Sequence, residues 1–426
     1  MSNNLVEVKS IYDTNNEKYA FWFGIFMILL VAMTNGEAQY INTFFVGLSL
    51  IGVLIMPLAF SMSLVAGTVI YLGYSYIGLE NYLPYIQSAH TYQTFLYIFL
   101  AIRIVLGEDK TFFKGIKKTV LIFLAYVFLS YLRTSVFIAL REVSMILVSV
   151  WLVYSVCENK KYHKQFMLAF IVILLTVFVY NYLYSDVFEK DVDALGRFAG
   201  VRDANNFAFF CNLSLVFILF FDAVKKRKLL IGALVVGCVI TISISGLVVM
   251  VSIFSIYFVI KKGFRHAFVF LLAVVLVMIL LGPITRMLDA MNISAIDGYI
   301  HRLTNITSSL ADGNYNEVTT DRTWLWEYYM DEYDSFSLRK QFFGTPYASV
   351  EILSEEQVLA SHNSWIDMLF NYGVVGVVVM IGCIVEYLVY YIRTKRVYMA
   401  SIVLIFVIHA FFRTLSGLSL FFPVFL

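Results

Sequence analysis

The sequence predicts an all-α fold: a polytopic transmembrane bundle of about 12–14 helices with one large extracytoplasmic loop. Three observations carry that expectation. The chain is 61% hydrophobic and only 14% charged, whereas soluble domains carry roughly 25% charged residues. It is mostly a succession of apolar runs, and runs of about 17–25 residues span a bilayer as helices. Its lysines fall between those runs in a regular alternation, broken only by one long polar stretch near Thr285–Ser361.

The elements follow in order. Residues 1–18 are polar, contain Glu7, Asp13 and Glu17, and read as a cytoplasmic tail, not as a cleavable signal peptide. Apolar runs then occupy 20–34, 42–59, 62–78, 91–106, 119–132, 136–156 and 165–183. Further runs lie at 206–221, 229–242, 247–260, 266–281, 372–391 and 397–412. The expected organisation is a bundle over 19–282 with a short outer loop at 185–204, a large extracytoplasmic loop at 283–361, and C-terminal transmembrane segments over 362–426.

Lysines test that count through the positive-inside bias of cytoplasmic loops. With the N-terminus inside, Lys110, Lys114, Lys117, Lys118, Lys160, Lys161, Lys164, Lys225, Lys226, Lys228, Lys261, Lys262 and Lys395 all fall on the cytoplasmic side. Only Lys190 and Lys340 do not. The pattern requires 229–260 to be a hairpin whose outer tip is Ile242-Ser243-Ile244-Ser245-Gly246. Cys157, Cys211, Cys238 and Cys383 stand singly in apolar runs without metal-ligand spacing and read as small buried hydrophobes.

The long outer loop has structure of its own. Asp321 to Tyr329 reads as an amphipathic helix capped near Thr320, and Phe342-Phe343-Gly344-Thr345-Pro346 reads as a turn. Trp324, Trp326, Tyr328 and Tyr329 suit either an interfacial aromatic belt or stacking on sugar rings. The outer loops are poor in lysine yet hold Arg197, Arg202, Arg286, Arg302, Arg322 and Arg339, with Arg133 and Arg413 at outer helix ends. Guanidinium forks bind phosphate oxygens bidentately, so such a set fits a pyrophosphate; the alternative is pairing with the loop's own carboxylates.

Arg197 and Arg202 stand in Gly196-Arg197-Phe198-Ala199-Gly200-Val201-Arg202-Asp203-Ala204-Asn205-Asn206, which runs into a span whose N-terminus faces outward. Asp203 or Asn205 is a natural cap there, and the N-terminal dipole favours an anion. His362, beside Asn363 where the chain re-enters the membrane, is the histidine placed at the outer level among polar neighbours. Arg141-Glu142 lies inside a span, as a functional pair or a structural ion pair. The sequence holds no P-loop, GxGxxG, GxSxG or HExxH and no DxD at a usable place, which argues against nucleotide hydrolysis and a nucleotide-sugar donor.

Three signals over about Gly196–Gly376 resemble the bacterial O-antigen polymerase/ligase superfamily (Wzy- and WaaL-type membrane glycosyltransferases). Arg197-x-x-Gly200-x-x-Asp203-x-Asn205-x-x-Ala208 is similar to that family's R-x-x-G-x-x-x-x-N-x-x-A entry to a span. Arg322, four residues before Trp326 and ahead of Phe343-Gly344, is similar to its arginine-containing outer loop. His362-Asn363, followed by Gly373 and Gly376, is similar to its HN…G…G re-entry. The hairpin tip departs from the pattern, because Ser243-Ile244-Ser245-Gly246 lacks the arginine that many members carry.

The resemblance implies a metal-independent enzyme of the plasma (inner) membrane with no cofactor. It would move a glycan from an undecaprenyl-pyrophosphate carrier to the next lipid-linked repeat unit at the outer face. His362 would be the base or acceptor-orienting group. Arg197, Arg202 and Arg322 would hold pyrophosphate, with Arg322 also catalytic and Asn205 and Asn363 in support. A polymerase for O-antigen or capsule is the first expectation. The alternatives are a ligase using a lipid A–core acceptor and a flippase. Implied partners are the lipid-linked oligosaccharide, membrane lipid, a chain-length regulator and a flippase, with no nucleic acid.

Overall fold

The computed structural model describes residues 15–33, 39–70, 91–106, 116–133, 136–158, 160–184, 204–220, 227–241, 243–289, 308–309, 322–345 and 363–395, with short stretches of 399–410. Fourteen helices lie among the described residues, with no strand. They are α1 Asn15–Met33, α2 Gln39–Ile55, α3 Leu58–Ile70, α4 Thr91–Leu106, α5 Lys118–Leu132, α6 Val136–Glu158 and α7 Lys160–Tyr184. After these come α8 Ala204–Phe220, α9 Arg227–Ile240, α10 Ile244–Lys262, α11 Phe264–Asp289, α12 Arg322–Ser335, α13 Leu338–Phe343 and α14 Ser364–Arg393. The expected run at 397–412 falls largely outside the described residues.

Two stretches are long and apolar enough to cross a bilayer, Ser245–Lys262 and Ser364–Arg393. Only 17% and 44% of their apolar windows are buried, which is unlike the core helix of a soluble protein. Eight further apolar helical stretches are shorter, from Leu58–Thr68, the shortest, to Lys118–Leu132, the longest.

The chain forms two compact units. The first comprises Met1–Ile116 and Ser144–Val179. Within it, α1 lies tightly on α3: a Cβ at Gly24 would sit 2.8 Å from the Phe60 carbonyl oxygen, and Ser63 Oγ donates to Phe21 O at 3.0 Å. Pro57 divides α2 from α3 and, lacking an N–H, cannot pair with the Val53 carbonyl four residues back. Arg103 of α4 donates to that carbonyl at 2.5 Å and to Met56 O at 2.8 Å, so this intramembrane-type arginine repairs a proline break.

The second unit comprises Lys117–Val143 and Tyr180–Leu426. One part of it is the helical hairpin α9–α10, both limbs of which pack on α8, while α11 packs on α10. The hairpin matches the sequence expectation, with Lys228 and Lys261–Lys262 at one end and the Thr241–Ser243 connection at the other. Another part is α5 packed antiparallel on α14: the Thr119 hydroxyl bonds Glu386 towards one end, and Tyr126 OH reaches Tyr372 O towards the other. Lys117 sits 4.2 Å from the Tyr390 ring, so α5 and α14 share a basic end that also carries Arg393 and Lys395.

Helix α14 differs from the expected span at 372–391. It starts at Ser364, and Gly373 interrupts it with φ 64° and ψ −175°. The first nine residues, Ser364–Tyr372, alternate apolar side chains with Asp367 and Asn371, so they do not register as an apolar run. The apolar segment proper is Val374–Arg393, about 20 residues or about 30 Å long, enough to match the thickness of a hydrocarbon core.

Candidate functional site

Two clusters in the second unit contain the described residues among those singled out from sequence, Asn205 in one and Asn363, Gly373 and Gly376 in the other. The first is the hairpin tip against the start of α8. Ser243 caps α10, its Oγ accepting from Gly246 N at 3.1 Å, and the same hydroxyl donates to Asn205 Oδ1 at 2.7 Å. Thr241 Oγ1 accepts from Ser243 N at 3.2 Å, and Asn212 Nδ2 donates to Gly246 O at 2.8 Å. A Cβ at Gly246 would stand 2.5 Å from Ala208 Cβ. The asparagine and alanine of the R-x-x-G…N-x-x-A pattern therefore have physical roles here. Asn205 fastens the tip, and Ala208 leaves room for it.

This corrects the expectation that Asn205 caps the helix. It is the second residue of α8, inside the helix, and its amide faces a hydroxyl 38 residues away in sequence. Asp203, the other expected cap, lies outside the described residues, as do Arg197 and Arg202. The geometry nevertheless sets two helix N-termini side by side, those of α8 and α10, each contributing a positive dipole end. Ser245 Oγ stands 3.1 Å from Ser243 Oγ at the same place.

The second cluster joins the outer-loop helices to the kink of α14. Gly344 ends α13 with φ 70°, and a Cβ there would lie 2.5 Å from Asn371 C and O and from Tyr372 N. Reciprocally, a Cβ at Gly373 would lie 2.4 Å from Phe342 O and 2.5 Å from Gly344 N. The two glycines meet backbone to backbone at positive φ, where L side chains are strained. A helix that breaks leaves carbonyls without their usual partners. Here Thr345 N donates to Phe370 O at 2.8 Å, and Tyr126 OH donates to Tyr372 O at 2.6 Å. Gly376 completes the junction, since a Cβ there would fall 2.2 Å from Tyr372 Cβ and 3.0 Å from Tyr126 Cε1.

Helix α12 packs on the first segment of α14. Leu325, Tyr329, Tyr333, Ile366 and Phe370 form its core, with Trp326, Phe336 and Leu369 against it. Phe370 touches Tyr329, Tyr333 and Phe336 at centroid distances of 5.4–5.5 Å. Asp367, one turn earlier, lies close enough to act on Tyr329. The two helices therefore run in the same direction and begin at the same end. Arg322 opens α12, and Asn363 opens α14 as its N-cap, accepting from Trp365 N at 2.9 Å and Ile366 N at 3.4 Å. His362 and the Arg322 side chain lie outside the described residues; along the chain, His362 immediately precedes that cap.

The aromatic residues of α12 divide by face. Tyr329 is fully buried, and burial, then the Asp367 carboxylate, pushes its phenol up to about 12. It is a core residue, not a sugar platform. Trp324 and Tyr328 are 51% and 37% exposed and stack at 6.0 Å with 28° between their planes. The expected turn at Phe342–Pro346 is also revised: Phe342 and Phe343 close α13, and the turn begins at Gly344.

Several other expectations resolve here. Arg141 and Glu142 pair with each other at 2.7 Å, the structural alternative. Cys211, Cys238 and Cys383 are free and buried, as expected, while the Cys157 side chain lies outside the described residues. Arg339 is exposed and, among the described residues, makes no ion pair; most of the loop carboxylates that could pair with the outer arginines lie outside the described residues. Sequence reasoning missed Glu386, a carboxylate in an apolar run. Its Thr119 partner is 267 residues away, and nothing in the local pattern signals it. No family model, curated protein or solved structure matches the chain.

Proposed function

We propose that this chain is a polytopic, metal-independent glycosyltransferase of a bacterial plasma membrane. In this reading it polymerises a polysaccharide by moving a glycan from an undecaprenyl-pyrophosphate carrier to the next lipid-linked repeat unit at the outer face. The membrane part is supported by the exposure of apolar surface. Along α14, Val374, Val378, Ile381, Val385, Val389 and Ile392 form one exposed stripe, and α11 exposes large apolar residues from Phe264 to Leu280. Surface of that kind suits lipid, not water.

The observation that carries the enzymatic reading is the Gly344–Gly373 junction. Phe343-Gly344 and the Gly373/Gly376 pair were separate signals of one resemblance, and Gly344 and Gly373 meet in backbone contact. That contact ties α13 to α14, and the aromatic core around Phe370 ties α12, which Arg322 opens, to the same helix, which His362 precedes along the chain. A histidine, with an unperturbed pKa of about 6.5, is suited to take or orient an acceptor hydroxyl proton. Arginines offset the charge that develops on the departing lipid pyrophosphate. Arg202, preceding the α8 N-terminus, and Arg197 would bind the same group together with the paired N-termini of α8 and α10. Two helix ends and Ser245 offer a physical substitute for the arginine missing from the hairpin tip.

The test is a glycan ladder from cells carrying His362→Ala or Arg322→Ala at normal membrane level. The polymerase reading expects loss of long chains with single repeat units still attached to the acceptor. Complete loss of attached glycan, with lipid-linked polymer accumulating, would instead identify a ligase.

A further inference from the structure

Helix α13 is anomalous. None of its residues is buried, and Leu338, Phe342 and Phe343 are 72%, 50% and 46% exposed. A six-residue helix with that surface would not hold its place in water. Yet its C-terminal end is clamped by Gly344 against Asn371–Gly373, by Thr345 N on Phe370 O, and by Tyr126 OH, which also lies 3.3 Å from Phe343 O. The clamp holds the backbone and leaves the apolar side chains uncovered.

Its level is set by the same contacts. Phe342 O and Gly344 N abut Gly373, and Val374, the next residue, begins both the apolar span of α14 and its exposed stripe. The apolar residues of α13 therefore adjoin the top of that stripe. The charged residues of α13 are both cations. Arg339 and Lys340 are exposed on α13 itself, and Lys340 Nζ lies 5.5 Å from the Phe336 ring. Arg133, exposed, ends α5 about two turns beyond Tyr126, whose hydroxyl is part of the junction. The neighbouring α12 is acidic instead, with Glu327, Asp331, Glu332 and Asp334.

We propose that α13 is an interfacial anchor that docks on the outer lipid leaflet. Leu338, Phe342 and Phe343 enter the boundary between headgroups and acyl chains, and Arg339, Lys340 and Arg133 lie against lipid phosphates. Apolar residues backed by cations at the end of a span are the composition of a membrane interface. The occupant is lipid because the surface is continuous with the stripe of α14 and because its charge complements phosphate. This inference rests on the membrane placement of α14. Its consequence is that the junction at Gly373 holds the outer loop by two means, a backbone clamp and a lipid-immersed foot.

The test uses the full chain in vesicles of phosphatidylethanolamine and phosphatidylglycerol. With the four native cysteines replaced by alanine, nitroxide labels are placed in turn at Phe342→Cys, Asp331→Cys and Val378→Cys. Accessibility to oxygen and to a water-soluble nickel chelate is then compared. The expected order of oxygen preference is 378, then 342, then 331, with 342 several-fold above 331. A label at 342 as aqueous as 331, while 378 remains deep, overturns the anchor and leaves the membrane placement intact. An aqueous label at 378 overturns both. A label at 342 shielded from both reagents overturns lipid as occupant in favour of a protein surface. Should the cysteine-free chain fold poorly, the unmodified chain is irradiated with a phospholipid carrying a diazirine near its glycerol. Adducts on 336–345 support the anchor, and adducts on α14 peptides without any on 336–345 overturn it.

Discussion

Replacing Gly373 by alanine should uncouple the outer loop from α14, and the structure gives the size of the effect. At φ 64° and ψ −175° the residue occupies backbone space that is nearly reserved for glycine, and a side chain there costs about 1–3 kcal/mol. The new Cβ would also stand 2.4 Å from Phe342 O and 2.5 Å from Gly344 N. Those are backbone atoms, so no side chain can swing away, and the junction must part. Parting forfeits the Thr345 N–Phe370 O bond, worth about 1 kcal/mol net. The sum is about 2–4 kcal/mol, or roughly 30- to 700-fold in the opening equilibrium at about 1.4 kcal/mol per factor of ten. Hydrogen–deuterium exchange of the 338–345 peptide in lipid nanodiscs reads this directly through the Thr345 amide. Gly382→Ala is the control, since its added Cβ meets nothing within 4 Å and lies in regular helix. Unchanged protection in Gly373→Ala, or an equal loss in Gly382→Ala, would refute the reasoning.

Other outcomes follow from the same geometry. Gly246→Ala, whose Cβ would lie 2.5 Å from Ala208 Cβ, should lower thermal stability and loosen the hairpin tip, whereas Gly232→Ala, with open space around it, should not; thermal unfolding of both variants checks this. Asn205→Ala removes the acceptor of the Ser243 hydroxyl and should cost about 0.5–1.5 kcal/mol, read from the same unfolding curves beside Ser245→Ala, which should cost less. Asn363→Ala removes the cap of α14 and should cost about 1 kcal/mol, with faster exchange confined to the Trp365 and Ile366 amides. Tyr329, with its folded-state pKa raised from 10.0 to about 12, adds stability that is full below pH 10 and is lost as pH rises towards 12. The tyrosinate absorbance difference between the native chain and Tyr329→Phe should therefore appear above pH 10, and Asp367→Asn should move it to lower pH.

Much of this architecture was legible because helices this apolar follow a simple code. Long apolar runs and the placement of lysines gave the helices and the α9–α10 hairpin, and the hairpin tip appears within a residue or two of where it was expected. Gly373 and Gly376 stood out as a pair, but their reason did not. Both make room for chain segments distant in sequence, Phe342–Gly344 and Tyr126, which no local pattern reveals. Asn205 looked like a cap because asparagine near a helix start usually is one; a tertiary hydroxyl won instead. The first segment of α14 escaped notice because Ser364, Asp367 and Asn371 interrupt its apolar residues, a pattern that hydropathy averages away. Arg103 and Glu386 were invisible for a related reason: each compensates a feature elsewhere, the carbonyls at Pro57 and a hydroxyl on α5.

The most direct test of the account remains the surface polysaccharide of cells in which His362→Ala replaces the native copy at equal membrane abundance, with Gly382→Ala as a matched control. The account predicts that His362→Ala loses the long-chain ladder and retains single attached repeat units, while the control keeps a normal ladder. A normal ladder in His362→Ala would contradict the assignment of this residue to a polymerising site.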